Sequence, residues 1–236
     1  MEFVFAVQNE TELNRYMQFA NQYENVLSAY LDLLEIKYEV KEVPRCIVLT
    51  SEKIATELIS EIPVPAYTND YRIVFVPELN VWRRQYLHQL DAYADSIQKD
   101  EIRAFYEERL NERHLLQIIG HELAHHSNFF SDDAYENGGA WFEEGMVEYI
   151  SSKYFLSDNE FEEQVKISRT LMHLYEQTHS YRPMTLFGDS NDSATIYYDY
   201  WRAFTKIIEL IHRSNNDEMA VLTRYANNPG QVFKNF

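Results

Sequence analysis

The run His121-Glu122-Leu123-Ala124-His125 places two imidazoles and a carboxylate where helical geometry could set them to work on one metal ion. Residues i and i+4 lie on one face of an α-helix about a turn apart, so His121 and His125 can offer ring nitrogens to the same ion. Glu122 is offset by roughly 100° around that helix, which keeps it off the metal and lets its carboxylate act on a water held there. The chemistry this pattern predicts is metal-assisted hydrolysis with Glu122 as general base. Zinc is the default ion for such a set, and cobalt or nickel suit the same ligands.

A catalytic zinc usually takes three protein ligands and leaves a position for water, so a third donor is required. Eighteen residues, 126–143, separate His125 from Glu144 in the stretch Trp141-Phe142-Glu143-Glu144-Gly145. That length can finish one helix, turn through Ser127 to Gly139 with Asn137-Gly138-Gly139 marking the turn, and start a second helix packed on the first. Glu144 is the leading third ligand, and Glu143 competes for the place. Glu148 lies one turn past Glu144 on the same face, where it could accept a hydrogen bond from the free ring nitrogen of a ligand histidine. The remaining histidines have plainer readings. His126 is turned away from the metal face as a surface or capping group. His114, seven residues before His121 and roughly 10 Å along the helix, is too far for the same ion and reads as solvated. His173, His179 and His212 show no ligand spacing.

His-Glu-x-x-His, eighteen residues, then Glu-Gly within Trp-x-x-Glu-Gly resembles the gluzincin metallopeptidases over about residues 114–150, in particular the spacing of aminopeptidase-N-like enzymes. The resemblance implies a zincin-like fold with Zn2+ in a cleft, held by His121, His125 and Glu144, and Glu122 as general base and acid for peptide hydrolysis. It also implies a tyrosine on a later helix that donates to the oxyanion. Residues 194–204 look like the start of that helix, with Tyr198 as the donor and Tyr197, on the stripe Tyr197, Trp201, Phe204, Ile208 and Ile211, as the alternative. The Gly-x-Met-Glu-Asn stretch with which such aminopeptidases hold a substrate amino terminus does not occur here. The region from Tyr67 to Val76 could instead offer a sheet edge to an extended peptide. The expectation is a zinc-dependent metallopeptidase acting on a peptide or protein. Its alternative is a catalytically inactive gluzincin-like module that binds one.

These residues need a scaffold, and the hydrophobic pattern supplies one. Residues 9–38 read as a helix, with Asn9 or Thr11 as cap and Leu13, Met17, Ala20, Val26, Leu27, Leu31 and Leu34 as its apolar positions. Residues 46–50 and 71–76 are short β-branched or aromatic runs that read as strands, with a helix over 51–60 between them. Ile62-Pro63-Val64-Pro65 can only be an edge or a loop, because proline donates no ladder hydrogen bond. From about 80 to 178 the pattern is almost entirely helical, and the motif helix runs from near Asn111 to near Ser127. Further helices are expected at about 141–156, 160–178, 194–213 and 216–227. The fold class is α+β and mostly helical. An N-terminal α/β lobe, 1–130, carries a small mixed sheet and ends in the motif helix, and a helical lobe, 131–236, carries the third ligand, with the site between them.

Composition bounds the partners. The 236 residues are 45% hydrophobic and 15% aromatic, enough for a sizeable core. Twenty-one Lys and Arg against 38 Asp and Glu give 21 − 38 = −17, which disfavours nucleic acid and anionic membranes and favours cationic or neutral peptides. Met1 to Gln8 lack a basic segment and a long apolar core, and no run of 18 apolar residues occurs, so a soluble cytoplasmic protein is expected. Cys46 is the single cysteine, without an internal disulfide partner, and its apolar run Cys46-Ile47-Val48-Leu49 predicts burial instead of catalysis.

Overall fold

The computed structural model describes residues 1–59, 64–131 and 139–228. Its elements are β1 (Glu2–Ala6), α1 (Glu10–Tyr38), β2 (Cys46–Thr50), β3 (Ala66–Thr68), β4 (Arg72–Phe75), α2 (Leu79–His88), α3 (Ile97–Ala104), α4 (Glu112–Ala124), α5 (Ala140–Phe155), α6 (Asp158–Glu176), α7 (Ser193–Arg213) and α8 (Glu218–Asn227). The architecture is the expected α+β class, mostly helical with one small mixed sheet. The boundary expected near residue 130 adjoins 132–138, which lie outside the described residues, as do Asn137 and Gly138 of the expected turn and Ile62 and Pro63.

The sheet has the order β1-β2-β4-β3, with β1, β2 and β4 parallel and β3 antiparallel to β4. Successive side chains of a strand point to opposite faces, and here both faces are covered. Ile47, Leu49, Ile73 and Phe75 join the main core, while Val48, Val74 and Val76 pack with Ala55 and Val81 in a smaller one. This two-sided burial explains why β2 and β4 read as continuous apolar runs, without alternation. β1 was not anticipated. Cys46 is partly exposed, short of the burial expected of it, and is a free thiol. The helix expected over 51–60 is a π-helical turn at Ile54–Ile59. β3 is a sheet edge, as the 67–76 region suggested, and it lies beside α4.

The helices begin where side-chain caps place them. Asn9 accepts from the Glu12 amide at 2.9 Å, Asn111 from Arg113 at 2.9 Å, Ser157 from Glu160 at 3.4 Å and Asp192 from Thr195 at 2.9 Å. Each satisfies an amide that the helical ladder cannot reach. The motif helix starts after Asn111, close to where it was expected, but ends at Ala124, leaving His125 as the cap residue and not an interior one. Among the described residues no helix is long and apolar enough to cross a membrane.

Candidate metal centre

α4 carries His121 and Glu122 and ends at His125, while α5 packs along it and carries Glu143, Glu144 and Glu148. Close packing of α5 depends on Gly145, the residue after Glu144. A Cβ there would meet the Ala203 carbonyl oxygen of α7 at 2.4 Å, so the Glu-Gly step marks a contact between helix backbones.

Three donor atoms converge between α4 and α5. His121 Nε2 lies 3.3 Å from His125 Nε2, and Glu144 Oε2 lies 3.2 Å from the first and 3.6 Å from the second. Donors about 2.1 Å from a tetrahedral ion sit roughly 3.4 Å apart, so these separations match the edges of a zinc-sized coordination tetrahedron. The outer ring nitrogens are also engaged. His121 Nδ1 is 2.9 Å from Glu148 Oε2, and His125 Nδ1 is 2.7 Å from Glu143 Oε1. With a metal bound, protons on both Nδ1 atoms would leave both Nε2 lone pairs free for the ion, the tautomer a metal requires. His121, His125 and Glu144 could hold a metal ion.

Glu148 does more than orient one histidine. Its Oε2 also accepts from Gln117 Nε2 at 2.8 Å and its Oε1 from Gln164 Nε2 at 2.7 Å, so α4, α5 and α6 meet on one carboxylate. Spacing alone makes Glu143 a rival ligand, and the structure sets it in another place. Its place against the far nitrogen of His125 had a signal in the sequence, since it directly precedes Glu144 on a helix that must face both histidines.

The local electrostatics follow from burying this many charges together. Burial would favour neutral rings, but hydrogen bonds that His121 donates to Glu144 and Glu148 hold it well above the usual histidine range. Burial acts likewise on His125, and the Glu144 charge with the Glu143 hydrogen bond pushes it up to about 9. Burial would raise Glu144, yet the charge of His125 and hydrogen bonds from both rings hold it well below the carboxylate range. Glu122 is raised by burial, a shift only partly offset by the two histidines.

Other expected residues lie elsewhere. Tyr198 is not brought to the triad: its hydroxyl donates to Glu176 at 2.8 Å, and its ring stacks on Tyr175 with the Arg202 guanidinium against it. The adjacent position along α7 turns a different way, and Tyr197 accepts a 2.7 Å hydrogen bond from Gln85 of α2. His114 is buried, not solvated, and its Nδ1 accepts from the Asn111 amide at 3.2 Å, closing the cap of α4. His126 is half-buried, with its Nε2 3.1 Å from Thr68 Oγ1 on β3. A surface groove of about 770 Å3 along α6, with Lys166, Arg169 and His173 in its lining, includes none of the three donors.

Compared with protein-family models, with curated proteins and with solved structures, the chain finds no match.

Proposed function

We propose that this protein is a zinc-dependent peptidase of gluzincin type, with the centre in a zincin-like cleft between the sheet and the helices. The observation that carries the reading is the set of donor separations, 3.2 to 3.6 Å, in a group of two imidazoles and one carboxylate whose outer nitrogens both meet carboxylates. Zinc fits that group, and His121, His125 and Glu144 would hold it. When bound, the ion would polarise a substrate carbonyl and acidify a water beside it.

The rest of the chemistry falls to the chain. Glu122 follows His121 on α4, and burial raises its proton affinity, which suits a carboxylate that must take a proton from water and return it to a leaving amine. Tyr197, the alternative to Tyr198, would supply the hydroxyl for the developing oxyanion, since the Tyr198 hydroxyl is engaged by Glu176. Burial raises the pKa of Tyr197, so it keeps the proton it would donate. It also lies near Tyr86, whose own pKa is raised well above the usual value by burial and then by Glu148, Tyr106 and Tyr197. β3, the sheet edge beside α4, would pair with the extended substrate backbone.

The test joins metal content to turnover. Protein purified without chelator or added metal should hold about one zinc per chain, and His125→Ala should lose it. Glu122→Gln should keep the zinc and lose peptide hydrolysis by roughly 10²- to 10⁴-fold, the usual contribution of a general base. Retained activity in Glu122→Gln would sink the role of Glu122. A wild-type protein that takes up no zinc would sink the whole reading.

A further inference from the structure

The histidine pair sits at the end of a helix, where backbone is least constrained. The ladder of α4 stops at Ala124, and His125 lies just beyond it as the cap residue. Its neighbours are tied to another element. Ser127, buried, donates from Oγ to the Tyr38 carbonyl at 2.6 Å, Val40 forms a bridge with Ser127, and the Asn128 amide donates to the Glu39 carbonyl at 3.4 Å. Tyr38 is the last residue of α1, and Glu39 turns the chain there with a left-handed φ of 54°.

The same helix touches α4 on the other side of the motif. The Tyr30 hydroxyl, fully buried, donates to the Gly120 carbonyl at 3.1 Å, one residue before His121. Gly120 has no side chain because Phe155 and Tyr30 occupy its place: a Cβ would come within 2.4 Å of the Phe155 ring and 3.1 Å of Tyr30. Further back, the Tyr23 hydroxyl donates to Glu112 in the first turn of α4. Tyr23, Tyr30 and Tyr38 are seven and eight residues apart, and their partners Glu112, Gly120 and Ser127 are eight and seven apart. α1 therefore runs alongside α4 in the same direction and meets it at matched intervals.

We propose that Tyr30 and Ser127 are positioning residues of the metal centre, through which α1 fixes the backbone on both sides of His121 and His125 and so the separation of the two donor nitrogens. The inference rests on the metal-centre reading above. Its physical basis is the tolerance of a coordination site, where donors must lie within about 0.2 Å of their ideal distances. A carbonyl held before His121 and a hydroxyl anchored after His125 supply that constraint where the helical ladder cannot.

The experiment measures zinc affinity by competition with a chromophoric chelator, using the full chain and zinc alone, together with unfolding of the metal-free protein. Tyr30→Phe and Ser127→Ala should each weaken zinc binding by about tenfold, the low end for partners that orient metal ligands, and the double variant should weaken it further. Tyr16→Phe is the control. It removes a hydroxyl from the same face of α1, one that donates to Glu78 instead of to α4, and it should leave the affinity unchanged. A purely structural role would lower the stability of the metal-free protein and leave zinc affinity where it was, and that result overturns the proposal. So does a Tyr16→Phe variant that binds zinc as poorly as the other two. Wild-type protein that fails to bind zinc overturns the metal-centre reading and this inference with it, whereas tight binding by all variants overturns this inference alone.

Discussion

At the residue scale the centre is a set of four carboxylates arranged around two rings, with three duties among them. Glu144 faces both Nε2 atoms, Glu143 and Glu148 take the Nδ1 protons, and Glu122 touches neither ring through a hydrogen bond. Spacing on a helix could sort most of these. Glu148 is a turn past Glu144, and its expected bond to one of the two histidines, His121, is present at 2.9 Å. Spacing could not sort Tyr197 from Tyr198, because adjacent residues on α7 diverge by roughly 100° and the rotation of that helix is set by packing. Tyr197→Phe should lower kcat by about 10²-fold with little change in KM, as expected for a donor that acts only on developing charge. Tyr198→Phe should leave kcat near wild type and instead cost stability, through the lost bond to Glu176. Peptide-hydrolysis kinetics on both variants would decide, and the reverse pattern would restore Tyr198.

At the element scale, the positions of α4 and α5 matter more than their helical propensity. Gly145→Ala would push a methyl group into the Ala203 carbonyl and Ile207, and it should destabilise the metal-free protein by about 1–3 kcal/mol in denaturant unfolding. A change below about 0.5 kcal/mol would mean that α5 and α7 can part at little cost. Glu160 joins two helix starts. It accepts from Ser157 N at 2.8 Å at the start of α6, and from Asn111 Nδ2 and Arg113, both at 2.8 Å, at the start of α4. Burial would raise its pKa, but hydrogen bonds from Ser157, Asn111 and Arg113 outweigh that and hold it down at about 2. A carboxylate depressed in the folded state stabilises it above the unfolded value and loses that contribution as pH falls through the folded one. The stability gap between wild type and Glu160→Gln should therefore be constant near neutrality and shrink between about 4.5 and 2. A gap independent of pH over that range would assign the loss to packing.

At the scale of the whole molecule, the charge of −17 surrounds a centre that is itself rich in carboxylates. Long-range attraction should favour peptides with Lys or Arg beside the scissile bond over matched peptides with Asp or Glu. Because the Debye length falls from about 10 Å at 0.1 M salt to about 3 Å at 1 M, that preference should fade as salt rises. Values of kcat/KM for matched peptides at two ionic strengths would show it, and an equal or acidic preference would show that local contacts dominate.

What the sequence determined by itself was periodic or local. The helix beginning after Asn9, the four C-terminal helices and the start of the motif helix near Asn111 were legible because amphipathic spacing and capping residues act over a few positions. The convergence of His121, His125 and Glu144 into a group that could hold a metal was legible because i, i+4 and a helix-length return place those side chains together. Tertiary structure decided whatever depended on partners far along the chain. β1 is a strand through its pairing with β2, 44 residues away in register. His114 is buried because α4 packs on that side, His126 meets Thr68 because β3 lies alongside, and Tyr198 turns toward Glu176 because α6 and α7 stack there. The hold of α1 on both flanks of the histidine pair belongs to the same class: contacts between residues some 90 positions apart leave no local pattern, since their energy exists only once both elements are packed.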